Sequence, residues 1–414
     1  MPAENKEAYK NIVIIGASIG GHEATNALVP SLPRNYRILL IDAMAFAWWP
    51  ITILRAVAVP GWEDKVSIPL TTDRVFPSGS QHQVIAPNRV LQLREDFVVL
   101  EKPFEGSCEV PFWRCIIATG ASQPVPTMPD PRWSEAEFKA GLKIAQDDIR
   151  KATRVVVAGG GAVGIEIAGE IKAHYPEKQV TIVHKDIGLM SPTACAKPVD
   201  PTALAKEHGK IKSWSTPTTD IRLSKEMERI CDKLGIEVIL SDRVRIPSTE
   251  STSSTQAADT CDKCGETEKG SDAEGEVPAQ EPPTWDGKWG LQDGLRRVSL
   301  ESGRTLEADY VYPGCGMRPN SDIIGGADMG ALDGALVAVD DYLKITSTTP
   351  SSIFSKGQYY AIGDVCNTPG FKIAHNAFSS AHRAAGNIIN EIKGKSVVKY
   401  NPGSAQGIFR SETW

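Results

Sequence analysis

The sequence predicts an α/β protein in which a doubly wound, parallel-sheet unit is built twice. Asn11–Ile15 (NIVII) is an unbroken apolar run that ends in the glycine-rich turn Gly16-Ala17-Ser18-Ile19-Gly20-Gly21. Arg154–Ala158 (RVVVA) ends in the same way, in Gly159-Gly160-Gly161-Ala162-Val163-Gly164. Each turn leads into a helical stretch and then a second apolar run, Tyr36–Asp42 (YRILLID) and Gln179–His184 (QVTIVH). Continuous Val/Ile runs without polar alternation belong to parallel strands buried on both faces. Strand, glycine turn, helix and strand together make a Rossmann-type βαβ unit, here present twice.

Length and composition agree with that plan. At about 150 residues per domain, 414 residues allow two or three domains. Hydrophobic residues make up 41% and charged residues 23%, the balance of a globular chain with a sizeable core. No apolar run reaches the 18 or so residues of a membrane span. The start, MPAENKEAYKN, lacks the basic-then-apolar layout of a secretion signal, and Pro2 stands where myristoylation needs glycine. Eight Cys without regular spacing fit reduced thiols and a cytoplasmic location. The net charge of −6 belongs to one segment. Ser248–Pro283 holds nine acids and two bases, a local charge of −7, so the remainder carries +1. The case against a nucleic-acid partner therefore rests on the absence of a basic cluster.

The elements follow in chain order. In Gly16-x-Ser18-x-x-Gly21 the first glycine permits the tight turn and the last permits close helix–strand packing. Ser18 replaces the middle glycine, and its hydroxyl is suited to donate to a phosphate oxygen. Asp42, 26 residues after Gly16, closes the second strand where a carboxylate accepts from ribose hydroxyls. Gly159-x-Gly161-x-x-Gly164 is the fuller fingerprint, with a helix N-terminus turned toward the phosphates. At the end of its second strand stands a basic pair, His184-Lys185, in place of an acid, which suits a 2′-phosphate and leaves NADPH and NADH both open. Pro192, Pro198, Pro201 and Pro217 exclude a continuous helix through Ser191–Asp220, which is expected to be a long loop. Ser248–Pro283 has one large aliphatic residue, Val277, and no aromatic, and is expected to be a disordered insert.

Three later motifs, Ile116-Ile117-Ala118-Thr119-Gly120, Val311–Asn320 (VYPGCGMRPN, with Gly316) and Tyr360-Ala361-Ile362-Gly363-Asp364, resemble the junctions and late FAD fingerprint of two-dinucleotide-binding flavoproteins. Trp49-Pro50 with Leu54-Arg55-Ala56, and Glu170-Ile171-Lys172 with Tyr175-Pro176-Glu177-Lys178, resemble the apoptosis-inducing-factor-like group of FAD/NAD(P)H oxidoreductases. Within it the likeness is nearest to the ferroptosis-suppressor flavoproteins, and more distant to type II NADH dehydrogenases. The resemblance implies an FAD domain at 1–125 and 319–368, an NAD(P)H domain at 126–318 carrying both inserts, and a C-terminal lobe at 369–414. It implies FAD and NADPH or NADH as cofactors, with hydride passing from nicotinamide C4 to flavin N5. It places Arg55 on the FAD diphosphate, Glu166 beside nicotinamide and flavin, and Lys372 near the isoalloxazine ring. It further implies a quinone-like or small organic acceptor, with a secondary-metabolite oxidoreductase or oxygenase as the enzymatic rival. A cell-death or signalling effector holding both cofactors structurally is the rival of another class.

Other signals fail. Cys108 and Cys115 lie seven apart, too far for a vicinal redox pair, and Cys261-x-x-Cys264 has no second pair to complete a zinc site. No metal is expected. A Baeyer–Villiger fingerprint begun at Phe104-x-Gly106 breaks at Val110 and Arg114. His375 and His382 are two helical turns apart and read as packed or solvated. The tail Asn401–Trp414 has no helical apolar stripe, so no stable membrane anchor is expected, and the chain is expected to be a monomer or homodimer.

Overall fold

The computed structural model describes residues 9–125, 127–191, 220–247, 281–314, 317–369 and 372–401. The interior of the Pro-rich loop, nearly all of the acidic insert, Gly316 and the tail beyond Asn401 lie outside the described residues.

Two five-stranded sheets repeat one plan. In the first, β1 (Lys10–Ile15) and β2 (Tyr36–Ile41) pair in parallel, flanked by β5 (Gln83–Ile85) beside β2 and by β9 (Arg114–Ile117) and β19 (Tyr359–Ala361) beyond β1. In the second, β11 (Arg154–Ala158) and β12 (Gln179–Val183) pair in parallel, flanked by β13 (Ile236–Ile239) on one side and β15 (Thr305–Tyr312) on the other. Only the edge strand β14 (Gly290–Ser299) runs antiparallel in that sheet. With strands counted in order within each unit, the first sheet runs 3-2-1-4-5 and the second 3-2-1-5-4, and ligands in such sheets gather at the carboxyl ends of the strands, where the order reverses. The apolar runs are buried as their composition demands: Ile12, Val13, Ile14, Ile38, Leu39 and Leu40 are fully inaccessible. Val157 and Ile182 are inaccessible in the second unit too.

Helices cover these sheets. α1 (Ile19–Leu28) follows β1, α2 (Ile53–Ala58) and the short α3 (Thr72–Val75) follow β2, and α4 (Glu135–Lys151) leads into the second unit. α4 starts in a full capping box, the Ser134 hydroxyl accepting from Glu137 N while the Glu137 carboxylate accepts from Ser134 N. α5 (Ala162–His174) follows β11, and α6 (Ile221–Lys233) precedes β13, capped by Asp220 accepting from Arg222 N. α7 (Asp322–Ala327) and α8 (Ala374–Ile392) return to the first unit. α8 lies directly on α1 and contributes Ala381, Ala384, Ala385 and Ile388 to the first core. Those residues were expected in a separate lobe. The apolar stripe of α8 instead finds its cover on the first sheet's helical layer.

The crossing between the units is a two-stranded ribbon. β10 (Ala121–Ser122), on the way out of the first sheet, pairs antiparallel with β16 (Arg318–Pro319), on the way back. The remaining strands form small antiparallel pieces on the first unit: β3 (Phe46–Trp48) with β4 (Ser67–Pro69), β6 (Val90–Leu93) with β7 (Phe97–Phe104) and β8 (Ser107–Pro111), and β17 (Leu332–Asp333) with β18 (Leu336–Val337). α2 belongs to the first unit in sequence yet shares a core with α4 and α5, so its apolar face joins the two halves.

Candidate functional site

The first glycine turn is fixed by two close approaches. Gly16 has φ +102°, and a Cβ there would lie 2.4 Å from the carbonyl oxygen of Ala118. A Cβ on Gly21 would lie 1.8 Å from the carbonyl oxygen of Gly16, so only glycine lets α1 approach β1 this closely. Ser18 is the residue before α1 and makes no capping bond with its side chain. It leaves its hydroxyl and the positive end of the helix toward a cleft that Gly16, Ala17 and Ser18 line. Asp42 closes the turn from β2: one carboxylate oxygen accepts from Ala17 N at 2.7 Å and the other from Met44 N at 2.8 Å. Burial raises the pKa of this carboxyl, opposed by those two backbone donors.

The second turn repeats this geometry with different chemistry. Gly159 has φ +123°, and a Cβ on Gly164 would again lie 1.8 Å from the first glycine's carbonyl oxygen. Gly161 precedes α5 and faces open space. The position matching Asp42 is His184, and it does what Asp42 does: Gly160 N donates to its Nδ1 at 3.1 Å. Its Nε2 lies 3.2 Å from the Ser191 hydroxyl. Burial lowers the pKa of His184, with Asp186 opposing, so the ring is uncharged at neutral pH. This corrects the expected basic pair. A ring that accepts a backbone N–H offers no cation to a 2′-phosphate, and of the expected pair Lys185 is the exposed member, 3.9 Å from the Asp186 carboxylate.

The cleft has a volume of about 670 Å³ and opens between the two units at the carboxyl ends of their strands. The first unit lines it with Gly16, Ser18, Asp42, Thr119, Gly120 and Asp364; the second contributes Val163 and Glu166 from the first two turns of α5. Thr119 is locked to the return crossing, its hydroxyl donating to Asn320 O while Asn320 Nδ2 donates to Thr119 O, both at 2.8 Å. Gly120 turns there with φ +64°. Gly363, at φ +71°, sets Asp364 against the cleft and donates its N–H to the Ser380 hydroxyl on α8. Burial raises the Asp364 pKa, and the Lys372 charge opposes the rise. Burial likewise raises Glu166 to about 7; Glu170 adds to the rise and Arg55 opposes it. Glu166 is thus poised to hold or release a proton near neutral pH.

Several expected residues sit elsewhere. Lys372 does not line the cleft; its ammonium donates to Cys366 O at 2.5 Å and Thr368 O at 3.2 Å. Arg55 is committed to Glu170 and not to the cleft wall, Nε donating to both carboxylate oxygens at 3.0 Å, because a carboxylate only 6% exposed requires a cationic partner. Gly21, Gly159, Gly161, Gly164 and Gly363 shape the turns without lining the cavity, and Gly316 lies outside the described residues. Met44 and Met128 line the cleft and were not singled out in the sequence. Glu170 and Asn320 entered there only as members of quoted motifs, Glu170 being a second acid one helical turn beyond Glu166. Among the described residues, no cysteine lines the cleft and no cluster of His, Cys, Asp or Glu is arranged to hold a metal. Among the described residues, no helix is long and apolar enough to cross a membrane.

Residues 10–208 match the pyridine nucleotide-disulphide oxidoreductase family. The chain is 25% identical to ferroptosis suppressor protein 1 of Mus musculus, across 95% of this chain and 84% of that protein. It is 23% identical to apoptosis-inducing factor homolog A of Dictyostelium discoideum, across 92% of this chain and 76% of that one. Among solved structures, the ferredoxin reductase for the CYP199A2 system of Rhodopseudomonas palustris superposes with a TM-score of 0.56 at 16% identity. That alignment covers 95% of this chain and 78% of the reductase, and it shows the same fold of two Rossmann-type units.

Proposed function

We propose that this chain, which resembles apoptosis-inducing-factor-like proteins along nearly its whole length and carries a pyridine nucleotide-disulphide oxidoreductase domain, is an FAD-dependent NAD(P)H oxidoreductase acting on a quinone-like or small organic acceptor. The observation that carries the proposal is the cleft lined by a phosphate-type glycine turn of one unit and by Val163 and Glu166, near the N-terminus of α5, of the other. Its volume of about 670 Å³ is in the range of small-molecule and cofactor sites. The glycine turn at Gly16, Ala17 and Ser18, which lines the cleft, and the Asp42 carboxylate beside it fit a diphosphate and a ribose respectively.

FAD, when bound, supplies two-electron acceptance from a nicotinamide hydride. The chain's own residues bind and orient. Gly16, Ser18 and the α1 N-terminus would hold the FAD diphosphate, and Asp42, with oxygens fixed by Ala17 and Met44, would accept from the ribose. Thr119, Gly120 and Asp364 would border the ring end. Gly159, Gly161, Gly164 and the α5 N-terminus would bind the pyridine nucleotide diphosphate. Reduction of a quinone by NAD(P)H takes up one proton beside the hydride, and the Glu166 carboxyl stands at the cleft wall near its titration midpoint. Lys372 would act through Asp364, whose charge it favours. Dithiol chemistry is not part of this reading: Cys115 is inside β9 with its thiol pushed up by burial, and Cys366 is buried, its thiol donating to Gly363 O.

The acceptor is tested by reducing the FAD-loaded protein with one equivalent of NADPH and mixing it with aerated buffer, with or without a soluble benzoquinone. Reoxidation much faster with the quinone than with dioxygen is expected. Reoxidation by dioxygen alone at the full turnover rate would favour the oxygenase reading.

A further inference from the structure

Glu166 is not an isolated carboxyl. Glu170 follows it by four residues on α5, and side chains at that spacing are neighbours, about 5–6 Å apart at Cβ. Two carboxylates so placed repel one another, and Glu170 is the more buried of the two, so the helix would not hold both charged without a counterion. The counterion comes from the other unit. Arg55, on α2, donates through Nε to both Glu170 oxygens at 3.0 Å and places Nη2 2.9 Å from Oε1. Its guanidinium lies 5.0 Å from the centre of the Trp62 ring, which restricts the fork to one direction. Neither Arg55 nor Glu170 lines the cleft, whereas Glu166 does.

We propose that Arg55 and Glu170 are positioning residues: an ion pair crossing from α2 to α5 that fixes the charge state of the Glu166 carboxyl at the cleft wall. The groups facing Glu166 are Glu170 on its own helix, Arg55 on α2 and the Tyr312 hydroxyl from β15, which is engaged with Thr127. Tyr312 is buried and uncharged at neutral pH, so beyond the rise that burial imposes, the charge balance at Glu166 lies, among the described residues, between one anion and one cation. Glu170 favours the protonated acid and Arg55 the carboxylate. Each member of the pair also restrains the other, Arg55 holding the Glu170 charge at a fixed distance from Glu166. Because α2 and α5 belong to different units, the setting is made only when the units are docked. Its consequence for turnover rests on the oxidoreductase reading; the titration itself does not.

The two members predict opposite effects, which loss of packing alone would not produce. The test is an infrared pH titration of the full chain without added nucleotide, following the protonated-carboxyl band that Glu166→Gln deletes. Wild type is expected to titrate at about 7. Glu170→Gln should move the midpoint down, and Arg55→Met should move it up, each by roughly one pH unit. Arg55→Lys, which keeps the charge and loses the fork, should return the midpoint most of the way to wild type. Should Arg55→Met fold poorly, the downward shift in Glu170→Gln and the near-wild-type midpoint in Arg55→Lys remain decisive. Midpoints that stay fixed, or that move in the same direction in Glu170→Gln and Arg55→Met, overturn the proposal. If the midpoints move as expected but NADPH never reduces the bound flavin, the functional reading fails and the ion-pair assignment stands.

Discussion

The two glycine turns of this molecule have nearly the same backbone and different electrostatics. In each, the first glycine has a positive φ and the last lies where a Cβ would strike the first carbonyl at 1.8 Å. In each, the second residue of the turn donates its N–H to the side chain just past the second strand. In the first unit that side chain is the carboxyl of Asp42; in the second it is the neutral ring of His184. Holding the turn therefore does not require an acid. On the proposed reading, the carboxylate at Asp42 would be available for a second task, recognition of ribose hydroxyls, while His184 supports the turn and would place no negative charge beside a nucleotide. On that reading, absence of that charge, more than presence of a cation, would let NADPH compete with NADH at the second site.

The largest effects should come from filling the two close approaches. Gly21→Ala and Gly164→Ala both force a Cβ against backbone and are expected to cost about 2–3 kcal/mol locally. The consequences differ by unit. Gly21→Ala should purify without flavin absorbance. Gly164→Ala should keep its flavin and lose NAD(P)H-driven reduction, with KM for the nucleotide raised at least tenfold. Loss of flavin from Gly164→Ala, with retention in Gly21→Ala, would reverse the assignment of the two turns.

A smaller effect is expected where the turns differ. His184→Asp makes the second turn chemically like the first: the new carboxylate accepts from Gly160 N and repels a 2′-phosphate. The kcat/KM ratio of NADPH to NADH should fall about tenfold, equivalent to about 1.4 kcal/mol. An unchanged ratio would show that discrimination lies elsewhere, with Lys185 the first place to look.

The smallest effect is a pH dependence whose sign separates two roles for His184. Its folded pKa lies below the ordinary value of 6.5. Its contribution to the second unit is therefore complete above 6.5 and declines as pH falls from there to the lower folded value. Protonation turns Nδ1 from acceptor to donor and sets it against the Gly160 N–H. NADPH binding to the FAD-loaded protein, measured by calorimetry from pH 7.5 down to 5.5, should weaken, and His184→Gln should flatten the trend. An imidazolium that paired with the 2′-phosphate would give the opposite slope.

How much was legible in the sequence follows from how local each feature is. Strands β1, β2, β11 and β12 could be read to within a residue because apolar runs and glycine breaks are short-range signals. Asp42 could be read because its spacing from Gly16 is set within one βαβ unit. The role of His184 could not, since the choice between cation and neutral acceptor depends on burial by β13 and the 184–191 turn. Arg55 and Glu170 are 115 residues apart and meet only because α2 leaves the first unit to pack on α5. Lys372 illustrates the same limit: its charge could be read, but its commitment to the Cys366 and Thr368 carbonyls is a product of the folded turn.

The central claim is that the cleft brings a pyridine nucleotide bound by the second unit to a flavin bound by the first. Anaerobic stopped-flow mixing of the FAD-loaded wild-type protein with NADPH, and separately with NADH, tests it most directly. Bleaching of the flavin band within seconds by at least one nucleotide is the predicted result, with the rate saturating as nucleotide rises. A flavin that stays oxidised with both nucleotides, over minutes and at saturating concentration, would contradict the account.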